Sequence, residues 1–280
     1  MRRLVVTADD VGLHPALNRG ALHAHEHGIV TAVSVVANGR AFADAVERLR
    51  TRPELDVGAH LTLVGERPLS PPREVPSLLG RDGALLPGWP AFVRRYLRGG
   101  IRREEVEREL RRQVERLLAS GLPVVHLNSH QHLHVLPGLF AVVLLLAREH
   151  GVPFVRVPAA SAAGAGGGPR RAQAAALGWI ARRSARQLAG ARGVAALGQT
   201  LGIAAAGRLT AGRLRRLIPA VGAAAELVCH PGLDDPGLAA TYRWGYSWGG
   251  ETAALCDPGA RETLRAAGVE LATFRELAAA

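Results

Sequence analysis

The stretch LVVTADDVGLHPALNRGALHAHEHGIVTAVSVVAN, residues 4–38, decides the fold. Its first five residues form an apolar run of the kind that reads as a strand buried on both faces. PALNRGALHAHEHG follows as a helix that opens on Pro15 and ends at Gly28. TAVSVVAN, residues 31–38, is strand-like again. Strand, helix and strand in succession imply a parallel pair joined by a crossover. The pattern continues in LDVGAHLTL (55–63), PVVHLNSHQHLHVLP (123–137), VPFVRVP (152–158), ELVCHPG (226–232) and VELATF (269–274). Between them lie the helix-like AFADAVERLRTRPE, REEVERELRRQVERLLASG (103–121) and GLFAVVLLLAREHG. The second of these places apolar residues at 106, 110, 114, 117 and 118, one face of a helix. The expected fold is α/β, a distorted (β/α) barrel of about seven strands forming one domain over residues 1–280. An Ala/Gly/Arg-rich stretch at about 159–225, starting with SAAGAGGGP, breaks the rhythm. It predicts a flexible loop and then helices inserted into the barrel.

The chain has 280 residues, 48% hydrophobic and 21% charged, enough for one sizeable core. Its net charge of +11 raises the question of nucleic acid. However, all 35 basic residues are arginine, as codon bias in a GC-rich genome would produce, and no zinc-finger or RNP-like motif accompanies them. No nucleic-acid partner is expected. The longest apolar run, LFAVVLLLA at 139–147, is too short to cross a bilayer. The opening MRRLVVTADD is too short for a signal-peptide core. Cys229 and Cys256 have no CxxC spacing. A reducing, cytoplasmic compartment is expected.

In a barrel of this type the active site lies at the C-terminal ends of the strands, so polar residues that end apolar runs are informative. Asp9 and Asp10 end the first run, and His60 lies late in the third. His126, Asn128, His130, His132 and His134 alternate along VVHLNSHQHLH, and His230 follows ELVC. A period of two puts the alternating residues on one side of an extended chain. His23, His25 and His27 sit at the same spacing on a helix, where it scatters them, and they read as structural. Two histidine nitrogens and a carboxylate suit zinc and other divalent cations. A metal with open positions polarises a carbonyl and activates water, and a nearby carboxylate can accept the water's proton.

TADDVGLHPALNRG, GIVTAVSVVANG, VGAHLTLV, HLNSHQHLHVLP and ELVCHPG, in this order, resemble the successive motifs of the YdjC-like carbohydrate deacetylases. That family includes chitooligosaccharide deacetylases and hopanoid-biosynthesis deacetylases. The resemblance covers residues 1–158 and 226–280. It implies a barrel of the glycoside hydrolase/deacetylase type, one divalent metal ion (Mg2+ or Zn2+) and removal of an N-acetyl group from an amino sugar. By motif, Asp10, His60 and His130 correspond to the metal ligands, Asp9 to the general base and His230 to the general acid. Arg156, in VRVP, resembles an arginine that orients the base, a weaker match. Val11 departs from the usual DDFG at a packing position. Asn128 stands where chitooligosaccharide deacetylases usually carry Asp. That residue and the closing segment 251–277 resemble the hopanoid branch, which implies a lipid-linked sugar.

Two other functions fit parts of this pattern. A barrel metallo-phosphoesterase would need more carboxylate ligands than the chain offers. A non-catalytic sugar-binding barrel would not need Asp9, Asp10, His60, His130 and His230 intact. Apolar stretches among arginines in 159–225 further predict peripheral contact with an anionic membrane. A homodimer is also expected.

Overall fold

β1 (Arg2–Val11) is the central strand of the fold in this computed structural model, which describes residues 1–158, 169–188 and 191–279. The other strands are β2 (Ala32–Val35), β3 (Asp56–Leu61), β4 (Val124–Ser129), β5 (Phe154–Val155), β6 (Thr200–Leu201), β7 (Ala224–Cys229) and β8 (Val269–Leu271). All pairings are parallel, in the order β5-β4-β3-β2-β1-β7-β6, and β8 pairs with β1 off this path. The expected seven-stranded α/β architecture is therefore present as a curled parallel sheet, with β8 as a short eighth strand. Its two edges are tied rather than laddered. Val155 N–H donates to Ala195 O at 2.9 Å, and Thr200 Oγ1 donates to Val157 O at 3.1 Å.

The strands are buried along almost their whole length because helices cover the outside, as the continuous apolar runs required. Inside the curl, Thr7, Ser34, His126, Asn128, Arg156 and Glu226 replace apolar residues, and all six are buried. Burying so many polar groups is costly unless each finds a partner. That requirement locates the site.

β1 runs in one-to-one register with β7 from Arg3↔Ala224 to Ala8↔Cys229. Against β2 its register slips between Ala8 and Val11. Asp9 and Asp10 occupy that slip, and Asp10 has φ +67, a left-handed conformation that Asp tolerates better than most residues. A regular strand would send these adjacent side chains to opposite faces. The bulge turns both toward one histidine, as described below. Gly12 continues the turn at φ +95, where a Cβ would lie 2.8 Å from the Val36 carbonyl oxygen.

The helix Arg103–Ala119 buries Val106, Leu110, Val114 and Leu117, as its periodicity predicts. It also buries Glu105, Glu109 and Gln113, which hold the loop after β3. Gln113 accepts from Thr62 N–H and donates to Thr62 O, both at 2.8 Å. Glu109 accepts the N–H groups of Leu69 and Ser70, at 3.0 and 2.8 Å.

Within the stretch set apart in sequence at 159–225, Pro169–Leu188 is a helix and residues 200–201 form β6. The loop expected at its start, 159–168, lies outside the described residues. No helix among the described residues is long and apolar enough to cross a membrane.

Candidate metal centre

Asp10, His60 and His130 meet where β1, β3 and β4 end. Their ligand atoms all lie within 4.8 Å of one another. Asp10 Oδ1 is 2.8 Å from His130 Nδ1 and 3.2 Å from His60 Nε2. Burial alone would raise the Asp10 carboxyl, but His130 and His60 outweigh it and hold the group well below the usual carboxylate range. Burial alone would lower the His60 ring, but Asp9 and Asp10 raise it. A carboxylate and two imidazoles converging in this way fit a divalent cation.

The Asn128 amide bears directly on that fit. With its oxygen toward His60 Nδ1, 2.6 Å away, it accepts the Nδ1 proton and leaves Nε2 bare toward Asp10. Turned over, its nitrogen faces Nδ1 and its oxygen accepts from Ser34 Oγ at 2.7 Å and Arg156 Nη2 at 2.8 Å. The second orientation satisfies more protein neighbours. The first is the one a metal-binding histidine requires, because the partner of one ring nitrogen sets the tautomer of the other.

Behind the three ligands lies a buried chain of charges. Arg156 donates to both oxygens of Asp9, at 2.6 and 2.9 Å, and to both oxygens of Glu226, at 2.9 and 2.7 Å. Thr7 Oγ1 donates to Glu226 Oε1 at 2.7 Å. Asp9 Oδ1 also lies 3.9 Å from His60 Nδ1, so the bulge brings both aspartates to the same ring. Burial alone would raise the Asp9 carboxyl, but Arg156 and His60 push it far below its ordinary value, and His230 adds to this. Asp9 is therefore an anion at any working pH.

His230 follows β7. Its backbone N–H donates to Glu251 Oε2 at 2.6 Å, and its ring Nδ1 lies 3.9 Å from the same oxygen. Tyr246 meets the ring edge-on at 5.3 Å. His230 makes no direct hydrogen bond to Asp9, Asp10 or His60, and its buried ring Nδ1 has no hydrogen-bond partner among the described residues.

The period-two reading of His126 to His134 holds only as far as β4 runs. His126 and Asn128 both reach Ser34, at 3.1 and 2.7 Å. Beyond Ser129 the chain enters a 3-10 turn, His130–Val135, in which Gln131 and His132 have φ of 56 and 55. Extended alternation ends there. His130 is delivered to Asp10, whereas His134 is pinned to Ser129 Oγ at 2.6 Å and to Arg156 O at 2.8 Å. His132 and His134 stay outside the ligand cluster.

These rings make the fold acid-sensitive. Burial, reinforced by Arg156, lowers His126 to about 3 and holds His132 well below its ordinary value. Burial also lowers His134, to about 4. A folded pKa below the unfolded value of about 6.5 gives stability that is complete above that value and lost as pH falls toward the folded one. From pH 7 to 5 the loss is roughly 2 kcal/mol per ring. The raised His60 offsets part of it. The Tm of chelator-treated protein is therefore expected to fall by several degrees between pH 7 and 5. A flat Tm across that interval would mean that these rings are not buried in the neutral form.

Sequence reasoning missed the aromatic segment 242–248. It holds two of the three tyrosines and two of the four tryptophans of a chain that is 4% aromatic. That density was the available signal. Trp244 and Tyr246 are half-buried, and Trp244 lies 5.1 Å from the His130 ring. Beside it is a cleft of about 170 Å³ whose lining includes Arg40, Glu66, His130, Gln131, Tyr242 and Trp244. Tyr242 Oη donates to Glu66 Oε1 at 2.8 Å.

The family model described as YdjC-like protein matches residues 3–266. A Geobacillus stearothermophilus protein named carbohydrate deacetylase is 31% identical, over 98% of this chain and 98% of its own. A Serratia marcescens protein named chitooligosaccharide deacetylase is 34% identical, over 54% of this chain and 57% of its own. A Brevibacillus brevis carbohydrate deacetylase is 38% identical over 56% of this chain, which spans 59% of that relative. Among solved structures, an Enterococcus faecalis V583 protein proposed to cleave cellobiose phosphate superposes with a TM-score of 0.77. It is 25% identical and the match covers 99% of this chain and 98% of its own.

Proposed function

Because the chain belongs to the family of YdjC-like proteins, we propose that it is a metal-dependent carbohydrate deacetylase that hydrolyses the N-acetyl group of an N-acetylglucosamine-type sugar. One observation carries this reading: the Asp10–His60–His130 cluster stands directly against an ionised Asp9 clamped by Arg156. Asp10, His60 and His130 would hold the cation, Mg2+ or Zn2+. Once bound, a divalent cation supplies Lewis-acid polarisation of the acetyl carbonyl and acidifies a water molecule.

Asp9 takes the proton from the attacking water as the new C–O bond forms. Each carboxylate oxygen has two lone pairs, so the Arg156 bonds leave acceptor positions free. Arg156 prevents Asp9 from turning toward Asp10 and from picking up a proton at rest. His230 then gives a proton to the departing nitrogen as the C–N bond breaks, leaving acetate and a free amine. The reaction needs no covalent intermediate, because water is the nucleophile.

The finer reading is that the sugar is carried on a lipid of the hopanoid type. Asn128 and the closing segment support it, as does Trp179, which is 68% exposed on the arginine-bearing helix Pro169–Leu188. Such a helix can rest on an anionic membrane surface.

The test is acetate release from soluble diacetylchitobiose and from a lipid-linked N-acetylglucosamine in anionic vesicles. Release from either substrate should stop when the metal is chelated and return when a divalent cation is restored. Release from the vesicles alone supports the lipid reading, and release from the soluble disaccharide supports the chitooligosaccharide one. Release unaffected by chelation, or from neither substrate, would overturn the metal-dependent deacetylase.

A further inference from the structure

The cleft beside His130 shares that one ligand with the cluster, and its other walls take no part in the proton transfers. Its walls differ in character. On one side is Trp244, half-buried and backed by Tyr242 at 4.8 Å and Tyr246 at 5.5 Å. Glu66 supplies a carboxylate oriented by Tyr242 Oη, and Arg40 Nε lies 4.0 Å from that carboxylate with a side chain 75% exposed. Gln131 closes the end near the metal ligands, its Oε1 accepting from Trp89 N–H at 2.7 Å.

A pyranose ring has complementary surfaces: faces of C–H groups and a rim of hydroxyls. Aromatic side chains suit the faces, and charged or amide groups suit the rim. We propose that this cleft is the sugar subsite, with Trp244 as the stacking platform for one pyranose ring and Glu66 and Arg40 as readers of its hydroxyl rim. The proposal rests on the deacetylase reading and assigns the residues that would set its substrate choice.

Position and size both support it. Trp244 is in ring contact with His130, so a sugar lying on Trp244 is one side chain away from the cluster that its acetamido group must reach. The volume, about 170 Å³, falls below the roughly 300–1,000 Å³ of drug-sized sites. It suits a single ring. Whatever the ring is attached to, a further sugar or a lipid, extends outside. Recognition is then invested in the amino sugar and not in its carrier.

Two features hold the walls in place. Tyr242 is buried and bridges Glu66 and the Leu13 carbonyl, at 2.8 and 3.3 Å. The loop carrying Glu66 is fixed from below by Gln113 and Glu109. A site held this rigidly loses little entropy on binding.

Calorimetric titration of the chelated protein with N-acetylglucosamine and with diacetylchitobiose separates binding from turnover. Trp244→Ala is expected to weaken both by about tenfold or more, and Trp244→Phe to retain most of the affinity. Arg40→Ala, a change at an exposed side chain that leaves the packing alone, should weaken binding severalfold. In the metal-loaded enzyme, Glu66→Gln should raise KM with little change in kcat. Wild-type binding left intact in both Trp244→Ala and Arg40→Ala overturns the subsite while leaving the deacetylase reading standing. Sugar binding that is weakened by Trp244→Ala in a protein that releases no acetate keeps the subsite and removes the deacetylase. A wild type that binds neither sugar removes the subsite.

Discussion

Asp9→Asn is expected to lower turnover by about 10²–10⁴-fold while the protein keeps its metal, since removing a general base costs that much and the ligand set is untouched. Asn has the same shape, so the bulge in β1 has no reason to change. What changes is the charge. The amide can still accept from one Arg156 nitrogen, but its NH2 faces the other, and Arg156 is left to lean on Glu226. Metal content and kcat measured on the same preparation separate the two roles of the adjacent aspartates. Near-normal kcat in Asp9→Asn would end the assignment of Asp9 as the base. Loss of metal along with activity would instead make Asp9 part of the ligand set.

Arg156→Met is expected to destabilise the fold by about 3–5 kcal/mol, the usual result of removing one partner from a buried ion pair. Arg156 is 4% exposed and bonds two carboxylates that are each 2% exposed. Methionine fills much of the volume, so the effect measures charge and not a cavity. Asp9 and Glu226 would be left facing each other in a space with little water. Chemical denaturation reads the difference directly, and adding Glu226→Gln should recover part of it by removing one of the two stranded charges. A loss below about 1 kcal/mol would mean that water or local rearrangement compensates the pair, contrary to the burial described. The combined variant is informative because coupled sites are not additive.

The parallel sheet and most of its strands were legible in sequence because continuous apolar runs and helical periodicity are local signals. The strand ends were legible because a charged residue closing an apolar run stands out, which is how Asp9, Asp10 and His60 were found. What was not legible required contacts between distant residues. Glu226 opens ELVC and Arg156 interrupts FVRV, each an isolated charge in an apolar run. The motif match tied Arg156 to the base, but nothing in the sequence hints that Glu226, 70 residues further on, shares that arginine with Asp9. The turn after Ser129 was also hidden. Two non-glycine residues adopt left-handed conformations there, which no pattern of apolar residues announces, so the alternating histidines looked more uniform than they are.

The slip in β1 divides that strand into two parts with different obligations. Residues 3–8 pair with β7 on one side, and on the other residues 2–4 pair with β8 and residues 7 and 8 with β2. Residues 9 and 10 fall outside those ladders. They give their side chains to the centre without carrying a rung of the sheet, whereas in the paired part only Thr7 reaches it, through Glu226. Pairing resumes at Val11↔Val35, so the centre's two carboxylates occupy a gap in the ladder and not its loose end.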